Sequence, residues 1–342
     1  MPTILITGGA GFIGRSFVKK ILLETDWEVV VIDSLTYAGD ANRLALTEGY
    51  DPARIRLLWH DLRAPIHESL SQRIGPVKWI ANIASESHVE RSISDPAGFF
   101  MANCTLTANM LEYARAAKPE VFLQISTDEV YGPAAAGHAH AEWEAHLPSN
   151  PYAASKSAQE SLAISYWRTF GVPVVITNTM NNFGESQHSE KFVPMCVEKI
   201  LKRLPITVHG DILPDRSFVS GSRCWLHADN HADALLYILQ NLPPASYPLE
   251  NRPSRWHIAG DREISNLEIV EMISAQLGLP ANVIPVAFHA SRPGHDLRYA
   301  LDGSAIQRAG WQPPVAFASS FAKTVKSLGS ALESTQNATH MR

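Results

Sequence analysis

An α/β fold is predicted here: a doubly wound parallel sheet with helices on both faces, followed by a smaller mixed α/β domain. Three observations carry that expectation. Short β-branched runs recur through the first 130 residues, longer amphipathic stretches separate them, and the texture changes after about Asn178. A short continuous apolar run is how a strand buried on both faces reads. Alternation of such strands with helices builds a parallel sheet.

The elements follow in order. Thr3–Thr7 (TILIT) reads as the first buried strand, and 11–23 as a helix with Phe12, Ile13, Phe17, Ile21 and Leu22 along one side. Glu28–Asp33 (EVVVID) is a second strand, and Ile55–Trp59, 79–84 and 121–126 repeat the signal. Pro148 and Pro151 punctuate the chain; a helix is expected over 152–170 and a strand over 172–177. Beyond that the segments are shorter and richer in proline. There 209–222 reads as a long loop, with helices at 229–240 and Asn266–Leu277. Residues 1–178 are expected to form one domain, completed by a crossing segment near 225–258, and 179–330 a second. The polar tail 331–342 is expected to fray.

Composition narrows the function classes. A chain of 342 residues is too long for one ordinary core and suits about two domains. Hydrophobic residues at 45% and charged residues at 18% exclude general disorder. A net charge of −5 gives no basic footprint for nucleic acid. No apolar run reaches the roughly 18 residues a bilayer crossing needs. The opening MPTILITGG has no basic region ahead of a longer apolar one, so no secretion signal is expected. Cys104, Cys196 and Cys224 are odd in number and far apart, which argues against a disulfide framework or cysteine-rich zinc site. A cytoplasmic globular protein with no nucleic-acid or membrane partner is expected.

The first strand runs straight into Gly8-Gly9-Ala10-Gly11-Phe12-Ile13-Gly14. A pyrophosphate reaches a helix N-terminus only where no β-carbon blocks the turn; Gly8 and Gly11 clear that space, and Gly14 lets the helix pack close to the strand. Asp33 ends the second strand nineteen residues after Gly14. A carboxylate there accepts bonds from ribose hydroxyls and repels a 2′-phosphate, so the expected cofactor is NAD. Asp61-Leu62 follows the third strand and reads either as an adenine flank or as a strand-end turn.

Tyr152 and Lys156 lie four apart at the start of a helix, on one face. A free phenol has a pKa of about 10 and is a poor base. A neighbouring ammonium and a positive nicotinamide lower that value, so the pair can take a hydroxyl proton while hydride leaves. Thr127-Asp128-Glu129 follows the fifth strand, at the sheet edge where α/β folds hold ligands. Two adjacent carboxyls there can divide into acid and base; the other reading is a solvated turn. His138, His140 and His146 fall in a short segment that reads as a solvated loop rather than a metal site.

These residues carry a resemblance. TGGAGFIG, Tyr152-xxx-Lys156 and the length resemble the extended short-chain dehydrogenase/reductases, with their Rossmann-type nucleotide domain. DSLTYAGD (33–40), SESHVERSI (85–93), STDEVYG (126–132), PYAASK (151–156), NNFG (181–184), EKFVP (190–194) and RPGHDLRYALD (292–302) resemble the NDP-sugar 4,6-dehydratase family. The resemblance covers the chain to about Ser327. It implies a lyase with tightly held NAD that turns dTDP-glucose or a similar nucleotide hexose into the 4-keto-6-deoxy sugar. Tyr152, with Lys156 and Thr127, would take the 4-hydroxyl proton; Glu129 would remove the C5 proton; Asp128 would protonate the departing 6-hydroxyl. Glu86 and Ser87 would lie near the sugar, and Asn182, Lys191, Arg223, Asn266, Arg292 and Tyr299 around the nucleotide diphosphate. A homodimer through helices near 103–114 and 152–170 is implied. The chain departs from the family pattern at Asn82-Ile-Ala-Ser, at 211–222, at Cys224 and in NNFGESQHSEK, which leaves the base and the hexose open. A 4-epimerase or 5,6-dehydratase would share the first oxidation, and a silent NAD-binding scaffold would share only the cofactor.

Overall fold

The computed structural model describes residues 1–287 and 296–340. Six strands, β1 (Thr3–Thr7), β2 (Glu28–Asp33), β3 (Ile55–Trp59), β4 (Trp79–Asn82), β5 (Val121–Thr127) and β6 (Val174–Thr179), join the strand Ser254–Ile258 in one sheet. Its spatial order is Ser254–Ile258, β6, β5, β4, β1, β2, β3, and every pairing in it is parallel. The order reverses at β1, which has β2 on one side and β4 on the other. Ligands of open α/β sheets bind beyond the strand ends at such a switch.

Side chains alternate across each strand. Ile4 and Ile6 face a cluster with Phe17 and Ile21 of α1 (Phe12–Glu24) and with Leu235 and Ile238 of the helix Ala228–Asn241. Leu5 and Val30 face the opposite cluster. That face holds Leu70 of the helix Glu68–Ile74, Leu106 and Met110 of the helix Pro96–Ala117, and Trp167 of the helix Pro151–Phe170. The last two helices also pack on each other.

Beyond β6 a second core gathers Phe183, Val197, Ile206, Trp225, Ile269, Phe321 and Val325. Three small sheets accompany it. Val283–Ala287, Ile206–Ile212 and Phe218–Ser220 form one; Ser222–Cys224 pairs with Glu263–Ser265, and Asn182–Phe183 with Leu226–His227. Leu226–His227 leads directly into the helix Ala228–Asn241 on the first core, so the chain crosses between the cores more than once.

Three expectations need correction. The expected loop 209–222 is a hairpin, with Gly210 opposite Ser220 and Ile212 opposite Phe218. Its polar turn disguises two short strands that depend on distant pairing with Val283–Ala287. The tail expected to fray belongs to a helix, Phe317–His340. Phe317, Phe321, Val325, Leu328 and Leu332 recur at spacings of three and four and face the second core, which holds that helix down as far as Leu332. β4 stops at Asn82, two residues early, because the N–H groups of Ile83 and Ala84 turn to the Thr7 hydroxyl, each at 3.0 Å. Among the described residues no helix is long and apolar enough to cross a membrane.

Candidate active site

The glycine turn is built for a close approach. Gly8 has φ +69°, and a Cβ there would lie 2.9 Å from the Ala84 backbone. A Cβ on Gly14 would lie 2.2 Å from the Gly8 carbonyl, so only glycine lets α1 begin against the turn. Gly11 caps α1 without a side chain, and no acidic residue occupies the first turn. The N–H groups around Phe12 and Ile13 therefore meet a bound anion without a competing carboxylate. Asp33 is buried at the end of β2, accepting from the N–H of Ala10 (3.0 Å) and of Leu35 (2.8 Å). Burial raises its pKa, opposed by those two bonds. A clear turn, an uncapped helix start and a carboxylate beside them fit NAD. Asp61 is a half-buried turn residue whose carboxylate is held by Arg63 at 2.5 Å, and Leu62 is in the core.

From the ends of β1 and β4 to the middle of β5 a polar ladder crosses the sheet. Thr7 donates to Asn82 Oδ1 (2.9 Å), and Asn82 Nδ2 donates to Gln124 Oε1 (2.9 Å). Asn82 is one of the departures from the family pattern, and it sits in a chain of satisfied hydrogen bonds.

β5 runs into a 3₁₀ turn, Asp128–Tyr131, that carries the acidic pair. The Thr127 hydroxyl donates to Asp128 Oδ1 at 2.9 Å and hydrogen-bonds Tyr152. Asp128 is buried, and its Oδ2 has no partner among the described residues. Burial and the neighbouring Glu129 charge push its pKa up to about 7. Burial raises Glu129 too, but the Asn150 amide (2.9 Å to Oε2) and the positive charges of Arg223 and Lys191 oppose that. Burial thus pushes both carboxyls up, Asp128 to about 7, and Arg223 favours the anion of each; Glu129 has the Asn150 amide and Lys191 besides.

Tyr152 and Lys156 lie in the first turns of the helix Pro151–Phe170. Lys156 is buried and donates to the Ile125 carbonyl at 2.7 Å; burial lowers its pKa to about 8. Burial and the two acids raise the Tyr152 phenol. The structure therefore keeps Tyr152 a neutral phenol. A positive ring against it is what would favour the phenolate.

The structure brings Thr127, Asp128, Glu129 and Tyr152 together, with Lys156 one helical turn beyond. Arg223 and Lys191, from the second half of the chain, are near enough to act on Glu129. Arg223 is buried over the Tyr299 ring (4.4 Å), and donates to the carbonyls of Ser222 (2.6 Å), Asp296 (2.9 Å) and Leu297 (3.0 Å). Lys191 donates to the Ser87 carbonyl at 3.3 Å. Glu86 is fixed through its backbone: its N–H donates to Asn103 Oδ1 (2.8 Å), and its carbonyl accepts from Asn103 Nδ2 (3.0 Å). Asn182 is committed internally, donating to the Met180 carbonyl (2.9 Å) and facing His231 Nδ1 at 3.1 Å. Asn266 begins its helix with its N–H on the Gly221 carbonyl (2.7 Å). Arg292 lies outside the described residues.

Sequence reasoning missed Asn150 and Asn103. Asn150 caps the helix before Pro151 by accepting from the Ala153 N–H (2.9 Å) while holding Glu129. The Asn-Pro pair was a legible helix start; the reach to Glu129 was not. Asn103 ties the segment after β4 to Ser155 of the helix that bears Tyr152 (2.9 Å).

A doubly wound sheet with this glycine turn, Tyr-Lys pair and acidic turn marks a class of nucleotide-sugar enzymes, and the chain belongs to the NAD dependent epimerase/dehydratase family, whose model matches residues 4–248. Among curated relatives, it is 36% identical to the dTDP-glucose 4,6-dehydratase of Neisseria meningitidis, across 95% of this chain and 93% of that one. It is also 36% identical to the low-salt glycan biosynthesis protein Agl12 of Haloferax volcanii, across 92% and 94%. Among solved structures, DesIV of Streptomyces venezuelae, a dTDP-glucose 4,6-dehydratase with NAD and dTDP bound, superposes with a TM-score of 0.82 at 36% identity, across 95% and 96%.

Proposed function

We propose that the protein is an NAD-dependent NDP-glucose 4,6-dehydratase, acting on dTDP-glucose or a similar nucleotide hexose. The observation that carries this is the divided environment of Asp128 and Glu129 beside Tyr152. NAD held by the glycine turn and Asp33 would supply a hydride acceptor for C4 and a hydride donor for C6. Tyr152 takes the 4-hydroxyl proton, relayed through its bond to Thr127, with Lys156 and the cofactor's charge favouring the phenolate. The new 4-ketone acidifies C5–H. Glu129, held by Asn150, removes that proton. Asp128 gives its own proton to the 6-hydroxyl, which leaves as water. Adjacent side chains suit this elimination, because acid and base must act on neighbouring carbons.

Gly8, Gly11, Phe12, Ile13, Gly14 and Asp33 are assigned to the pyrophosphate and ribose of the cofactor, and Asp61-Leu62 to its adenine end. Arg223, Lys191 and Asn266, with Arg292, are assigned to the nucleotide diphosphate; Tyr299 backs Arg223, and Asn182 supports this side of the cleft through His231. Glu86 and Ser87 face the hexose in this reading. A homodimer through the helices Pro96–Ala117 and Pro151–Phe170 belongs to it, supported by the exposed Phe100, Met101 and Phe170. So does a cytoplasmic location, which the three free cysteines suit.

The test is incubation of the NAD-loaded protein with dTDP-glucose and UDP-glucose in D₂O, followed by NMR. A 4-keto-6-deoxy product with deuterium at C5 supports the proposal. A C4 epimer with hydrogen retained at C5 favours an epimerase, a 5,6-unsaturated product a 5,6-dehydratase, and NAD binding with no turnover across a panel of NDP-hexoses a scaffold.

A further inference from the structure

The loop between the acidic turn and the helix of Tyr152 gathers groups that the dehydration does not use. His138, His140 and Glu144 each turn one ligand atom to a common point, all within 4.8 Å of one another. Glu144 Oε2 lies 2.7 Å from His140 Nδ1 and 3.1 Å from His138 Nε2. Its other oxygen is engaged separately by the Ala141 N–H at 3.0 Å. We propose that these three side chains bind a divalent transition-metal ion, zinc by preference, with a water completing the shell.

The chemistry of the set favours zinc. Two imidazoles and one carboxylate are borderline donors that suit it better than magnesium or calcium, which want oxygen ligands. Zinc bonds of about 2.0–2.1 Å at tetrahedral angles place neighbouring ligand atoms about 3.3 Å apart. The separations from Glu144 Oε2 need to open by about 0.6 Å to His140 and about 0.2 Å to His138 to admit the ion, and the two imidazole nitrogens already lie within 4.8 Å of each other.

The backbone beneath the three ligands is already fixed. His140 donates its N–H to the Ala300 carbonyl and accepts from the Asp302 N–H, each at 2.9 Å. Its ring is buried against Tyr131, with centroids 5.3 Å apart and planes 18° from parallel. The His138 N–H bonds the Ala135 carbonyl (3.1 Å), and its own carbonyl accepts from Arg298 (2.5 Å). The Glu144 N–H closes a turn on the Ala141 carbonyl at 3.2 Å. Little chain entropy remains to be lost on loading. His138 is exposed at the rim, which gives an ion its entry path and leaves room for water.

Loading needs a lone pair on His138 Nε2 and His140 Nδ1, so each neutral ring carries its proton on the other nitrogen. For His140 that nitrogen is buried without a partner in the structure described, and it is unsatisfied in either tautomer. Binding therefore adds no new orphan. An ion at this point would clasp the loop that joins Asp128–Glu129 to Asn150 and Tyr152.

The experiment uses the full-length, untagged protein, stripped with a chelator and titrated with zinc chloride by calorimetry, and with cobalt chloride by visible absorption. The expected result is one saturable equivalent of zinc, a tetrahedral cobalt spectrum and a raised thermal midpoint on loading. H138A and E144Q should each weaken binding about tenfold or more and abolish the cobalt band. His138 is exposed, and the amide introduced by E144Q keeps an oxygen for the Ala141 N–H, so both variants should keep the unloaded fold. No saturable equivalent, or an equivalent that both variants retain, would overturn the proposal; the latter would move the ion to the cysteines or elsewhere.

Discussion

Replacing Asp128 with asparagine should make the protein more stable and nearly inactive, and the two effects should separate with pH. Asp128 is 3% exposed, one of its oxygens lacks a partner among the described residues, and its pKa is raised from 3.8 to about 7, chiefly by burial. At about 1.36 kcal/mol per pKa unit, that difference is worth about 4 kcal/mol. The sign follows from proton counting. Between pH 3.8 and about 7 the folded state keeps a proton that the unfolded chain has lost. The stability this group contributes is therefore fully present below pH 3.8 and is lost as pH rises through about 7. Asparagine does not titrate and can still accept from Thr127. The advantage of D128N should be near zero in acid, grow across that window, and level off at about 4 kcal/mol. With an unfolding entropy of about 2.1 cal/mol/K per residue, a chain of this length gains about 6 °C in Tm. Thermal unfolding of both proteins from pH 4 to 8.5, with elimination assayed alongside, tests this. A stability difference that stays flat with pH, or a D128N variant that still expels water at the wild-type rate, would refute the reasoning.

Other expectations follow from the same geometry. Asn150→Ala removes a helix cap, costing about 1 kcal/mol, and takes away a bond that lowers the Glu129 pKa; the acidic limb of the kcat–pH profile should move to higher pH, and an unmoved limb would count against Asn150 as the group positioning Glu129. Tyr152→Phe should slow C4 oxidation by about 10²–10⁴-fold, read as the 340 nm change in a single turnover; wild-type amplitude and rate would exclude the phenol as base. Gly14→Ala places a methyl 2.2 Å from the Gly8 carbonyl; it should yield protein that loses NAD on gel filtration, unlike Gly329→Ala, whose Cβ would meet only Leu277 at 3.6 Å.

The sequence was most legible where local pattern and burial agree. β1, β2, β3 and the helix Asn266–Leu277 occur as read, because each is a self-contained apolar run or a periodic segment with its cap, Ser265 with Glu268 in the last case. The hairpin 206–220 was not legible, since its strands are stabilised by a partner more than seventy residues on. The acidic pair and Tyr152 were legible as residues, and their nearness is a matter of sheet geometry. Their protonation was not, because it depends on burial and on Asn150, Arg223 and Lys191, which come from other parts of the chain. His138, His140 and Glu144 read as a solvated loop because nothing local says that His140 is pinned between Tyr131 and the 300–302 segment.

The outermost strand, Ser254–Ile258, returns to the sheet partway through the second core, whose Ile269, Phe321 and Val325 come later in the chain. Its Arg255 meets Glu160 at 2.6 Å, both side chains deep inside the protein. Glu160 also accepts from Asn178 Nδ2 (2.7 Å), which in turn donates to the Thr127 carbonyl (3.0 Å). A fragment ending at Thr179 would bare the edge of β6 and strand an anion in the interior beside the reacting groups, a loss of about 3–5 kcal/mol for the broken pair alone. The two halves of the chain are thus not interchangeable cassettes. Recombining such chains would have to carry residues 254–258, and the helix Ala228–Asn241 packed on the same core, along with the first half.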